Sequence, residues 1–191
     1  GLGGKDHGIV RVHVVGAGVM GGDIAAWSAY KGFEVTLADR EQRFIDGALQ
    51  RAQDMFAKRI KDAARRPAVA ARLRGDLHGD GVHTADLVIE AVAEDLAAKE
   101  QLFRQLDAVV GDAAILATNT SSLSVTQIAS ATRRPARVVG MHFFNPVHIM
   151  KLVEVIAHPR SDSAVIAAAR EAAERMGKTT ILVRDTPGFA S

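Results

Sequence analysis

The chain has 191 residues, 48% of them hydrophobic and 24% charged, with a net charge of +2 and no cysteine. That length supports one domain with a substantial core, and the missing thiols exclude disulfides, a cysteine nucleophile and Cys-based metal sites. Near-neutral charge, basic runs without interleaved aromatics and no apolar run of the ~18–20 residues that a membrane span needs argue against nucleic acid and a membrane span. With no secretory signal in view, a cytoplasmic location is expected.

Residues 1–8 read as a linker or remnant, and residues 9–189 as one domain. Val10, Val12, Val14 and Val15 make an apolar run that reads as a buried strand. It enters Gly16-Ala17-Gly18-Val19-Met20-Gly21, which fits G-x-G-x-x-G, and residues 23–30 follow with helical apolar spacing. Each glycine has a physical task there. Gly16 permits the tight turn, Gly18 lets a pyrophosphate approach the backbone, and Gly21 lets the helix pack close to the sheet. The amides and dipole at that helix start favour an anion. A second strand, residues 34–38, ends in Asp39, about 20 residues past the glycines, where a ribose 2′-OH is usually held. A carboxylate there repels a 2′-phosphate, which points to NAD rather than NADP; Arg40 next to it weakens the preference. The alternative is a glycine turn with a helix-capping acid.

Residues 41–61 repeat apolar side chains at helical spacing, from Ile45 to Ile60, and read as a long amphipathic helix. Residues 63–74 extend it, broken at Pro67, and residues 75–80 read as loop. Lys58-Arg59-Ile60-Lys61 and Arg65-Arg66 form a basic cluster. It is either a solvated helix face or a contact for a phosphate-bearing ligand. Residues 86–92 read as a buried parallel strand, 94–110 as a helix and 114–118 as another strand. The polar loop Asn119-Thr120-Ser121-Ser122 precedes an S-x-x-Q capping box at Ser124–Gln127, which starts a short helix. Strands at 137–144 and 152–157, a helix at 163–176 stopped by Gly177, and a strand at 180–183 complete the pattern. Alternating strands and helices define an α/β fold: a Rossmann-type, doubly wound, mostly parallel sheet with helices on both faces. The missing initial Met and the turn signal Thr186-Pro187-Gly188-Phe189 lead to the expectation of a domain excised from a longer protein.

Ligands of such sheets bind outside the carboxyl ends of the strands. Three polar clusters fall there: Glu90 with Glu94, Asn119–Ser122, and the run from His142 to Pro146. His142 is the candidate general base, because imidazole titrates near neutrality. If residues 145–148 reverse the chain, His142 and Glu154, each six residues from His148, face each other. Glu154 would then fix the imidazole tautomer and stabilise its cation. The alternative is a histidine satisfied at a strand end. A metal pair of His142 and His148 lacks a third ligand at obvious spacing, so no metal is expected. His7, His13, His78, His83 and His158 read as surface or loop residues.

Five segments in order, GAGVMGGDIA, VIEAVAEDLAAKEQLF, NTSSLSVTQIA, GMHFFNPVHIMKLVEVI and GKTTILVRDTPGF, resemble the NAD-binding domain of L-3-hydroxyacyl-CoA dehydrogenases. The likeness runs from Val10 to Phe189 and is strongest to multifunctional fatty-acid oxidation proteins. It implies NAD-dependent oxidation of a (S)-3-hydroxyacyl-CoA to the 3-oxoacyl-CoA in fatty acid beta-oxidation. Position by position, His142 matches the family's catalytic base and Glu154 its partner. Ser121 matches the serine bonded to the substrate 3-oxygen near the nicotinamide. Asn145 matches an asparagine at the cofactor–substrate junction. Glu94 and Lys99 match residues lining the NAD site, Asp39 the ribose acid, and Lys58 a lysine on the CoA phosphates. The family continues past PGF into an asparagine and an all-helical domain that closes over the acyl chain and usually makes the dimer. The resemblance therefore implies an oligomeric parent, and a chain that binds NAD but is weak or inactive alone. Two other readings stand beside it: an NAD-binding module without catalysis, and a sugar-acid dehydrogenase of the gulonate type.

Overall fold

The computed structural model describes residues 8–185. Its strands are β1 (Arg11–Val15), β2 (Glu34–Ala38), β3 (Leu73–Gly75), β4 (Leu87–Glu90), β5 (Ile115–Thr118), β6 (Val138–Phe143), β7 (Leu152–Ala157) and β8 (Thr179–Arg184). They form one eight-stranded sheet in the order β3-β2-β1-β4-β5-β6-β7-β8. Neighbours are parallel, apart from the antiparallel pair β6 and β7. The strand order reverses direction between β1 and β4, which opens a crevice at their carboxyl ends.

The helices are α1 (Val19–Tyr30), α2 (Gln42–Arg59), α3 (Arg66–Ala71), α4 (Leu96–Val109), α5 (Val125–Ser130) and α6 (Ser163–Arg175). Side chains alternate along each strand and so feed two cores. Val12 and Val14 of β1, Leu87 and Ile89 of β4, and Val139 and Met141 of β6 pack under α1, α2, α3 and α6. Val88, Leu116 and Val138 face the opposite way, onto Phe103 and Leu106 of α4 and Ile128 of α5. The sheet is therefore covered on both faces, as its continuous apolar strands require. Burying each of these large side chains is worth roughly 1.5–3 kcal/mol relative to exposure. α1 is apolar round most of its surface, apart from Asp23, and packs on both β1 and β2 of the sheet and on α2, so Ile24, Ala25 and Ala29 are buried.

Three expectations are corrected. Pro67 does not break a helix; it stands in the first turn of α3, where its missing N–H leaves nothing unpaired. Residues 73–75, expected as helix and loop, form β3 and pair with β2 at the sheet edge. His13 is a buried residue of β1 rather than a surface or loop one, and His158, which does lie in the loop after β7, is buried there. His13 Nδ1 lies 2.6 Å from Thr36 Oγ1, and burial pushes its pKa down despite the nearby Asp76 carboxylate. His158 Nε2 lies 2.8 Å from the Pro135 carbonyl. The expected linker, His7 and the Thr186–Phe189 turn lie outside the described residues, apart from Gly8.

Candidate active site

The glycine loop joins β1 to α1. Gly16 has φ +109°, and a Cβ there would lie 2.6 Å from the Ala91 carbonyl oxygen. A Cβ on Gly21 would lie 1.7 Å from the Gly16 oxygen. Side chains are thus excluded from both positions, so the helix starts tight against the turn. No side chain caps α1 and no acid stands in its first turn, which leaves its amide end open to an anion. At the end of β2, Asp39 Oδ2 accepts from Ala17 N at 2.8 Å. The carboxylate is thereby held against the glycine loop.

A cleft of about 420 Å³ opens at this edge. Gly18, Val19 and Met20 line one side. Glu94, Lys99 and Ser121 line the second, and His142, Phe144 and Asn145 the third. β6 and β7 pair His142 directly opposite Glu154, and His142 Nδ1 lies 2.9 Å from Glu154 Oε1. With Nδ1 engaged, Nε2 is the ring nitrogen left for a ligand. Phe144 packs on the imidazole at 4.4 Å between ring centres.

A buried ionic network stands behind Ser121. Glu90, at the end of β4, is fully buried and accepts from Lys99 Nζ, Val92 N and Thr118 Oγ1. Lys99 Nζ also lies 3.2 Å from Glu94 Oε1. Glu94 Oε2 in turn accepts from Thr120 Oγ1 at 2.7 Å, Ser122 Oγ at 3.1 Å and the Ser121 amide at 3.3 Å. Burial pushes the Glu94 carboxyl up, but the bond from Thr120, the Lys99 charge and the bond from Ser122 outweigh it, so the pKa is lowered. Asn119 spends its side-chain oxygen on Phe143 N at 2.8 Å, fastening the Ser121 loop to β6.

Lys58 is not in this cleft. It lines a neighbouring one of about 470 Å³, with Asp23, Arg51, Asp54, Arg59 and His148. Arg51 Nη2 donates to the Gly18 carbonyl at 3.3 Å, so the two clefts adjoin at the glycine loop. Burial raises the Asp23 carboxyl, with the Arg51 and His148 charges opposing it. Arg51, Asp54 and Lys58 share the i, i+3, i+7 face of α2, a spacing that was open to sequence reading. Glu90 and Phe144 lie in the clusters expected at the strand ends, whereas Thr118, which donates to Glu90 Oε1 at 2.7 Å, is a site residue that the sequence did not single out.

A dinucleotide-type loop facing a carboxylate-backed imidazole is the equipment of a nicotinamide-dependent dehydrogenase. Residues 11–186 match the family described as 3-hydroxyacyl-CoA dehydrogenase, NAD binding domain, and the chain belongs to that family. It is 40% identical over 187 residues to the fatty acid oxidation complex subunit alpha of Acinetobacter baylyi. That alignment covers 96% of this chain and 26% of the relative. The structure of 3-hydroxybutyryl-CoA dehydrogenase from Escherichia coli superposes with TM-score 0.88 at 36% identity, covering 95% of this chain and 39% of that one. The (S)-3-hydroxybutyryl-CoA dehydrogenase of Ralstonia eutropha gives 0.86 at 35%, covering 96% and 66%. The residues present fit NAD: open space over Gly18, where a Cβ would meet nothing within 4 Å, an uncapped helix start and a carboxylate beside it.

Proposed function

We propose that the protein oxidises the 3-hydroxyl of a (S)-3-hydroxyacyl-CoA to the 3-oxo group in fatty acid oxidation. The observation that carries this reading is the 2.9 Å contact between His142 and Glu154 at the mouth of the glycine-loop cleft. His142 Nε2 takes the hydroxyl proton, and Glu154 on Nδ1 holds the tautomer and stabilises the imidazolium. Ser121 and Asn145, on the two loops flanking the imidazole, orient the reacting oxygen and the thioester. NAD, when bound, supplies the hydride acceptor. On this reading the first-turn amides of α1 take its pyrophosphate, Asp39 its adenosine ribose, and Glu94 and Lys99 flank the nicotinamide end. Lys58 and the adjoining basic cleft take the phosphates of CoA, so the acyl-pantetheine arm runs from that cleft to His142. Coverage of 26% of the fatty acid oxidation relatives supports reading residues 9–189 as the cofactor domain of a larger, multidomain protein.

The test follows NADH absorbance in the full-length protein with 3-hydroxybutyryl-CoA and, separately, gulonate. Turnover of the CoA ester alone is expected. Turnover of gulonate alone, or of neither with NAD still bound, overturns the reading.

A further inference from the structure

The loop that joins β6 to β7 carries Asn145, and its backbone is held from below by one buried ammonium. Lys178, between α6 and β8, is only 6% exposed. Its Nζ donates to the carbonyl of Val147 and, at 2.7 Å, to that of Met150. It also stands 4.8 Å from the Trp27 ring centre. The rest of the loop is fastened too. Arg59 Nη2 donates to the His148 carbonyl at 3.1 Å, Ile149 N and Met150 N turn back onto the Pro146 carbonyl, and Thr179 N takes that of Lys151. Val147 itself is buried in the core.

Among the described residues no carboxylate forms an ion pair with Lys178. Its other charged neighbours are cations: Lys31 and Arg59 share the same indole at 5.2 and 5.1 Å. Burial, with those two charges adding to it, pushes the Lys178 pKa down to about 8. A buried cation with only carbonyl dipoles and a π face as partners is a costly way to hold a loop. A side chain kept for packing alone would do as well without the charge. What the ammonium supplies is two directed bonds to carbonyls two and five residues beyond Asn145.

We propose that Lys178 is a positioning residue: its ammonium fixes the turn that presents Asn145 to the cleft. This rests on the dehydrogenase reading for its effect on turnover, but not for its effect on the loop. The structural half is tested by amide hydrogen exchange on the full-length Lys178→Met protein. Faster exchange confined to residues 145–151 is expected, with the sheet unchanged. Exchange unchanged in that loop, or faster throughout the domain, overturns the inference. The catalytic half is tested with 3-hydroxybutyryl-CoA. In Lys178→Met, kcat falls at least tenfold, KM changes less than threefold and the NAD Kd stays within twofold. Lys178→Arg, which keeps charge and donors, recovers at least a third of kcat. Equal kcat in Lys178→Met and wild type, or an NAD affinity that falls in step with kcat, overturns it as well. A wild-type protein inert toward the CoA ester sinks the dehydrogenase reading, and the exchange result then decides the inference alone. If Lys178→Met does not fold, Lys178→Gln replaces it with the same outcomes.

Discussion

At the scale of single residues, the site depends on acids whose surroundings fix their charge. Glu94 is ionised and serves three donors of the Ser121 loop, with Lys99 behind it. Its folded pKa lies below the ordinary 4.5. The stabilisation from its carboxylate is therefore complete above pH 4.5 and disappears as pH falls through the lower folded value. Glu94→Gln should flatten that part of the acid unfolding curve and lower turnover through a loosened Ser121. Urea unfolding at a series of pH values between neutrality and 3 checks the first effect; an acid limb identical to wild type would contradict it. Asp23 has the opposite sign. Its raised pKa means the folded protein gains stability as pH drops through it, so Asp23→Asn should raise the urea midpoint at pH 7. An unchanged or lower midpoint would count against the burial described for that carboxylate. At Gly21 the issue is space: a methyl group meets the Gly16 carbonyl. Gly21→Ala should cost about 1–3 kcal/mol and weaken NAD binding at least tenfold, as calorimetry would show. An alanine variant with wild-type affinity would mean that α1 can back away from the loop.

At the scale of elements, legibility followed the range of the determining contacts. The strand–glycine–helix unit and the start of α5 are local; of the expected capping box the Ser124 half is formed, with Ser124 Oγ accepting from Gln127 N at 3.2 Å. The reversal between β6 and β7 was legible because equal spacing about His148 sets the antiparallel register, and that register brings His142 to Glu154. β3 was not legible. Leu73, Arg74 and Gly75 carry no alternation of their own, and they are a strand because β2 offers an open edge. His13 and His158 misled for the same reason. The partners Thr36 and the Pro135 carbonyl come from 23 residues away in each case, and among the described residues only the Arg160 amide, 3.2 Å from His158 Nδ1, is a local partner. Lys58 was named by resemblance, and Arg51 shares its face of α2, while His148 joins them only once α2 lies against the β6–β7 loop. The packing of α4 on the second face gives a direct check on this layer. Phe103 is fully buried against the sheet, so Phe103→Ala should lower stability by about 3–5 kcal/mol. A loss under ~1 kcal/mol in denaturant unfolding would mean that α4 is not seated as described.

At the scale of the whole molecule, one sheet brings two clefts together along the carboxyl edge of its strands. The first holds the glycine loop, Ser121 and His142; the second, basic, adjoins it through Arg51 and Gly18. That layout suits a long substrate with an anionic end and a reactive end, laid across a cofactor seated at the strand-order reversal. The central claim is that the imidazole of His142 removes the substrate proton. It is tested most directly by comparing wild type with His142→Ala in the full-length protein, following NADH formation from 3-hydroxybutyryl-CoA while NAD affinity is measured in parallel. The expected result is a loss of about 10²–10⁴-fold in kcat with the NAD Kd unchanged. Equal rates in the two proteins would contradict it.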